Sequence, residues 1–212
     1  MKTLRKALAV LFSLIILITI VSCKTGTIVY GDPTSSDVAV IFYPGGRVDP
    51  HAYEDLCRSL AEEGIPVIVA EMPMDLAIFG INRSNGIISD YPDVDNWYLC
   101  GHSLGGAMAA VWCAKHQDDV QGLIFLAAYS TKELQLPVLS IYGSNDGVLK
   151  MNNYSRNLKN LSDVEEQIIE GGNHCQFGSY GFQKGDNEAT VSHEQQIEKT
   201  VALIVDFIRG AD

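Results

Sequence analysis

The chain has 212 residues, a formal net charge of −11, and 47% hydrophobic against 19% charged side chains. That length holds one domain or at most two small ones, and the composition supports a packed core and excludes general disorder. With 15 Lys and Arg against 26 Asp and Glu, a basic nucleic-acid module is also excluded, because neutralising phosphates takes clustered cations.

In chain order, Lys2, Arg5 and Lys6 precede an apolar run over residues 7–21 that is broken only by Ser13 and Thr19. A membrane span needs about 20 apolar residues, so the run is short for a span and suits the core of a secretory signal. It ends in Ile20-Val21-Ser22-Cys23, which resembles the lipobox of bacterial lipoproteins. The resemblance implies cleavage before Cys23, thioether lipidation of Cys23, and stable anchoring by its acyl chains. The alternative is an uncleaved anchor helix. Both place the following domain outside the cytoplasm, on a membrane surface. The expected organisation is a signal peptide over 1–22, a lipidated N-terminus and tether over 23–36 with one weak strand at Thr27–Tyr30, and one domain over 37–212. An acidic domain gains nothing from anionic headgroups, so the lipid would hold it there.

Val38–Tyr43 (VAVIFY) is a continuous apolar run suited to a strand buried on both faces. Asp49-Pro50 supplies an N-cap and a first-turn proline for a helix carrying Tyr53, Leu56, Cys57, Leu60 and Ala61, closed by Gly64. A strand at 66–70 follows, then a poorer helix over 74–88 interrupted by Gly80 and Gly86. Further strands are expected at 97–100, 122–127, 137–142 and 164–169, and helices from Leu104 to about His116 and over 148–158. Ser192 and Gln195 form a capping box for a last helix with Ile197, Val201, Ile204, Val205 and Ile208 on one face. Strands alternating with helices predict a doubly wound, mostly parallel α/β sheet of six or seven strands with helices on both faces. In such sheets ligands bind beyond the carboxyl ends of the strands.

Chemistry-bearing residues follow three of those strands. Gly101-His102-Ser103-Leu104-Gly105-Gly106 fits G-x-S-x-G between a strand and a helix, where glycines allow close backbone approach and leave the serine exposed. The Lys-Ser/Thr of a P-loop is missing, and so is a dinucleotide-type G-x-G-x-x-G. Asp146 stands in Gly143-Ser144-Asn145-Asp146-Gly147, beyond a strand end, where a helix N-cap is the plainer role. His174 stands in Gly171-Gly172-Asn173-His174-Cys175 after the last strand. The order Ser103, Asp146, His174 is that of the α/β-hydrolases.

On these motifs, residues 37–210 resemble an α/β-hydrolase, nearest to the compact dienelactone-hydrolase-like or alpha/beta hydrolase family 5 type. The resemblance implies Ser103 as nucleophile, His174 as general base and acid, and Asp146 as the orienting carboxylate. The oxyanion donors would be the N–H of Leu104 and one from the Pro44-Gly45-Gly46-Arg47 loop, with Gly46 favoured over Arg47. Many relatives have His-Gly where this chain has Pro44-Gly45, which leaves the second donor open. No cofactor is implied.

Other candidates carry less. His102 fits a structural role, and His51, His116 and His193 fall near helix ends. Asp186 could replace Asp146 as the acid, but it follows His174 in sequence. No metal-ligand spacing and no C-x-x-C is present, so no metal is expected. Cys57 and Cys100 are expected as buried thiols, and the pairing of these, Cys113 and Cys175 stays open. Residues 128–136 leave no room for a lid domain, which predicts an open site. The long loop 176–189 carries Phe177, Tyr180 and Phe182, which would either wall an acyl pocket or tie the loop down. The expected function is cleavage of a small-molecule carboxylic ester by a membrane-held serine hydrolase. Thioesterase or deacylase chemistry on the same residues is the first alternative, and a non-catalytic binding lipoprotein the second.

Overall fold

In the computed structural model, which describes residues 26–210, the apolar runs form seven strands of one sheet. They are β1 (Thr27–Tyr30), β2 (Val38–Tyr43), β3 (Val67–Ala70), β4 (Asn96–His102), β5 (Gly122–Leu126), β6 (Leu134–Gly143) and β7 (Leu161–Ile169). The spatial order is β1-β3-β2-β4-β5-β6-β7. All neighbours are parallel except β1, which runs antiparallel to β3 with Thr27 opposite Ala70 and Tyr30 opposite Val67. Cys23 and the apolar run before it lie outside the described residues. The weak strand expected at Thr27–Tyr30 is β1, and it is paired into the sheet.

Among the described residues, five helices cover the two faces: α1 (Glu54–Glu62), α2 (Arg83–Asp90), α3 (Leu104–Cys113), α4 (Met151–Asn157) and α5 (His193–Arg209). Successive side chains of a strand point to opposite faces. Val40 and Phe42 therefore pack with Leu56, Leu60, Ile197 and Ile204 of α1 and α5. Ala39, Ile41 and Tyr43 pack with Ile87, Ala109 and Trp112 of α2 and α3. Each fully buried Leu, Ile or Phe among them contributes about 1.5–3 kcal/mol. This two-sided burial is why β2 reads as an unbroken apolar run.

Several elements differ from expectation, each for a local reason. The Asp49 carboxylate accepts the His51 N–H at 2.9 Å, but it caps a 3-10 turn, Pro50–Tyr53, that feeds α1. The expected helix over 74–88 is two 3-10 turns, Pro73–Asp75 and Ala77–Phe79, before α2 begins at Arg83. Met74 and Asp75 there are left-handed, each with φ 54°, and no α-helix accommodates that. α4 starts at Met151 because the Val148 and Leu149 N–H groups are taken by Asp146 Oδ1, at 2.8 and 2.7 Å. β6 reaches back to Leu134 through a register shift ahead of Pro137, which has no N–H to pair. β7, the far edge, presents Asp163, Glu165 and Glu166, charges that discourage edge pairing. The link from β5 to β6, residues 127–133, contains no helix. Cys57, Cys100, Cys113 and Cys175 are buried free thiols.

Candidate active site

β4 runs straight into α3 through Ser103, which has φ 52° and ψ −120°. A non-glycine residue in that region is strained and persists only where its surroundings hold it. Here close packing does so: a Cβ on Gly101 would lie 2.6 Å from the Gly106 N, and one on Gly106 would lie 2.6 Å from the Gly101 O. On Gly105 it would overlap the carbonyls of Tyr43 and Pro44. The glycines thus let α3 press against the ends of β2 and β4, leaving Ser103 at the turn.

Among the described residues, every non-glycine with positive φ follows a strand's carboxyl end: Arg47 after β2, Met74 and Asp75 after β3, Ser103 after β4, Ala127 after β5. Backbone strain is gathered on the edge where ligands bind in this class of sheet.

The loops after β6 and β7 meet on that edge. Gly143 lets them touch, since a Cβ there would lie 2.6 Å from the Asn173 N. Asp146 Oδ2 then reaches His174 Nδ1 at 2.8 Å, with both side chains 1% exposed. Asp146 serves both expected roles at once, as its Oδ1 caps the turn at Val148 and Leu149. His174 Nε2 is buried without a hydrogen-bond partner. The His174 ring lies 4.6 Å from that of His102, the residue before Ser103. Asp146 and His174 are therefore joined directly, His174 packs on the residue before Ser103, and His174 Nε2 makes no hydrogen bond to Ser103.

His102 is fully buried and turned into the protein. Its Nδ1 pairs with the Tyr53 hydroxyl at 2.8 Å, and that hydroxyl accepts the Gly45 N–H at 2.9 Å. Burial, reinforced by repulsion from His174, holds its pKa well below the ordinary imidazole value. It is a neutral brace between the serine turn and the 44–47 loop. In that loop the Arg47 N–H donates to the Asp75 C=O at 2.7 Å. The Gly46 N–H, between two engaged amides, donates to no group among the described residues. A Cβ on Gly46 would lie 2.9 Å from Leu104 Cδ2, so this loop abuts the start of α3. The Leu104 N–H, first in its helix, has no intrahelical acceptor.

Two supporting roles escape a reading of the sequence, that of Asp186 and that of Gln196. Asp186 does not bond the His174 ring. Its Oδ2 accepts the Cys175 N–H at 2.8 Å and its Oδ1 the Gly147 N–H at 3.0 Å, tying together the loops that carry His174 and Asp146. Burial raises its pKa, but the Gly147 and Cys175 amides outweigh that and set it below the usual carboxylate value. Gln196, fully buried on α5, clamps the Asn173 backbone, accepting its N–H at 3.0 Å and donating to its C=O at 2.8 Å. The signal for Gln196 was present, a polar residue at helical spacing within the apolar stripe of Ile197, Val201 and Ile204. For Asp186 no sequence pattern marks the partner loops. Of the aromatics in the loop, Phe177 is buried against His102 and Tyr180 packs on Tyr53 and His102, whereas Phe182 is exposed. His116 pairs with Asp119, and His193 with Asp55, away from this cluster. Among the described residues no three His, Cys, Asp or Glu side chains group as a metal ion would need.

The sequence profile of the alpha/beta hydrolase family matches residues 39–198. No curated protein matches the chain by sequence. Among solved structures, Est1E from Butyrivibrio proteoclasticus with ferulic acid bound is similar at TM-score 0.64 and 14% identity, over 88% of this chain and 97% of that one. The monoacylglycerol lipase of Paleococcus ferrophilus reaches TM-score 0.67 at 14% identity, over 88% and 99%. A thermophilic esterase from Thermogutta terrifontis reaches 0.67 at 12%, over 88% and 93%. At these identities the likeness is one of fold.

Proposed function

Since the chain belongs to the alpha/beta hydrolase family, we propose that it is a serine hydrolase that cleaves carboxylic esters through an acyl-enzyme intermediate. The observation that carries this reading is His174. Its Nδ1 is bonded to Asp146, its Nε2 is buried and unpartnered, and its ring packs on His102, the residue before Ser103 on its strained turn.

In the proposed reaction Ser103 Oγ attacks the ester carbonyl carbon while its proton passes to His174 Nε2. Asp146 holds the ring in the required tautomer and stabilises the imidazolium. The oxyanion of the tetrahedral intermediate accepts hydrogen bonds from the N–H groups of Leu104 and Gly46. Gly46 is preferred to Arg47 because the Arg47 amide is already given to Asp75. Collapse breaks the bond to the alcohol oxygen, which takes the proton from His174. Water then attacks the acyl-enzyme with His174 as base, and the acid leaves with Ser103 restored. None of these steps calls for a cofactor.

Ester substrates are in keeping with the named activities of the esterase and lipase neighbours. Membrane attachment through a lipidated Cys23, outside the cytoplasm, belongs to the same proposal and rests on the Ile20-Val21-Ser22-Cys23 motif. The test is labelling of the detergent-solubilised protein with a fluorophosphonate, read by intact mass. One adduct on the wild type and none on Ser103→Ala is expected. A folded wild type that takes no adduct would sink the proposal.

A further inference from the structure

The segment between β3 and α2 exposes three large apolar side chains within six positions: Met74 at 62%, Ile78 at 52% and Phe79 at 57%. Isolated exposed apolar residues are ordinary, but a cluster beside a functional edge marks a contact surface. This cluster is held rigidly outward. Met74 and Asp75 are both left-handed, and the Asp75 carbonyl is fastened by the Arg47 N–H at 2.7 Å. Leu76, between the exposed residues, packs against Gly46 and so borders the candidate oxyanion loop.

The chain enters the sheet at the same place. The Gly26 carbonyl accepts from the Glu71 N–H at 3.2 Å and from Arg83 Nη2 at 2.8 Å. Glu71 directly follows β3, so Gly26 is tied to residues three positions before Met74 and four after Phe79. Cys23 is three residues upstream. Three residues span at most about 11 Å even when fully extended. A lipid on Cys23 would therefore hold the bilayer against the catalytic edge, whereas a long stalk would leave the orientation free.

We propose that Met74, Ile78 and Phe79 dock into the bilayer that holds Cys23, so that the site faces the membrane and takes acyl esters presented in it. The proposal rests on the ester-hydrolase and Cys23-anchor readings. Charge adds little, since an acidic protein is not drawn to anionic headgroups; apolar insertion beside a covalent lipid supplies the second attachment signal. Phe182, 59% exposed on the loop after His174, lies on the same carboxyl edge.

The test uses the full-length lipidated protein reconstituted in phosphatidylcholine vesicles with brominated acyl chains. Phe79→Trp should be quenched by bromine, whereas Asp118→Trp, ahead of β5 on the opposite edge, should not. In parallel, the triple variant Met74→Ser, Ile78→Ser, Phe79→Ser is assayed on soluble 4-nitrophenyl butyrate and on 4-nitrophenyl palmitate dissolved in the vesicles. Both esters release the same leaving group, so only presentation and chain length differ. The variant should keep the butyrate rate and lose tenfold or more on the vesicle-borne ester. Equal quenching at 79 and 118, or an unchanged palmitate rate, overturns the docking. A wild type that cleaves neither ester, with Phe79→Trp still quenched, overturns the hydrolase reading and leaves the docking standing without its substrate. A protein that cleaves butyrate but is not retained by vesicles overturns the anchor, and the docking with it.

Discussion

At the scale of single residues, the site depends on groups whose partners are already in place. Ser103→Ala and His174→Ala should each lower kcat roughly 10⁶-fold, and Asp146→Ala roughly 10⁴-fold, on the pattern seen in other serine hydrolases. Steady-state rates on a short-chain ester would check this, and a larger loss for Asp186→Ala than for Asp146→Ala would reverse the assignment of the acid. Asp186 is a positioning residue, acting through the Cys175 and Gly147 amides. Its folded pKa lies below the ordinary value of 3.8, so its contribution to stability is complete above that value and lost as pH falls through the lower folded one. Asp186→Asn should therefore lower the urea midpoint at pH 7, with the gap to wild type closing toward pH 3. A gap that does not change with pH would mean the carboxylate charge is immaterial.

At the scale of elements, the serine turn is an outcome of glycine packing. Gly101→Ala would set a Cβ 2.6 Å from backbone of α3, and overpacking of that kind costs about 1–3 kcal/mol or more. Gly86, inside α2, faces open space, and Gly86→Ala should stabilise by about 0.5–1 kcal/mol. Urea titrations of both variants should shift the midpoint in opposite directions with unchanged slope. Gln196→Ala would strand the buried Asn173 amide and carbonyl, at a cost of about 1–3 kcal/mol. It should also reduce kcat, because Asn173 precedes His174. The element least legible beforehand was the segment over 74–88. Its apolar residues suggest a helix, but Pro73, Gly80 and two left-handed residues break it into turns.

At the scale of the whole molecule, the antiparallel strand β1 begins at the carboxyl edge of the sheet, with Thr27 opposite Ala70, so the proposed anchor and the proposed site share one side. Cys23→Ser should release the protein from the membrane fraction or leave a heavier unprocessed precursor, as read by fractionation and intact mass. An unchanged membrane fraction of unchanged mass would favour an uncleaved apolar helix. The link over 127–133 carries no helix that could close over the site. Rates on soluble esters should then rise smoothly with concentration, without a jump at the point where substrate forms droplets.

The alternation of apolar runs and amphipathic stretches was enough to specify a doubly wound parallel sheet, because burial on both faces leaves no polar position in strands such as β2. The order Ser103, Asp146, His174, each after its own strand, was enough to nominate the site, because parallel strands bring their carboxyl ends to one edge. What the sequence could not carry was everything set by distance between remote loops. Asp186 as a tie between two loops, His102 as a brace through Tyr53, and the engagement of the Arg47 amide by the Asp75 carbonyl have no local signature. Nor does the pairing of Gly26 with Glu71 and Arg83, on either side in sequence of the exposed Met74, Ile78 and Phe79, because sequence periodicity reports what one element buries and not which elements become neighbours.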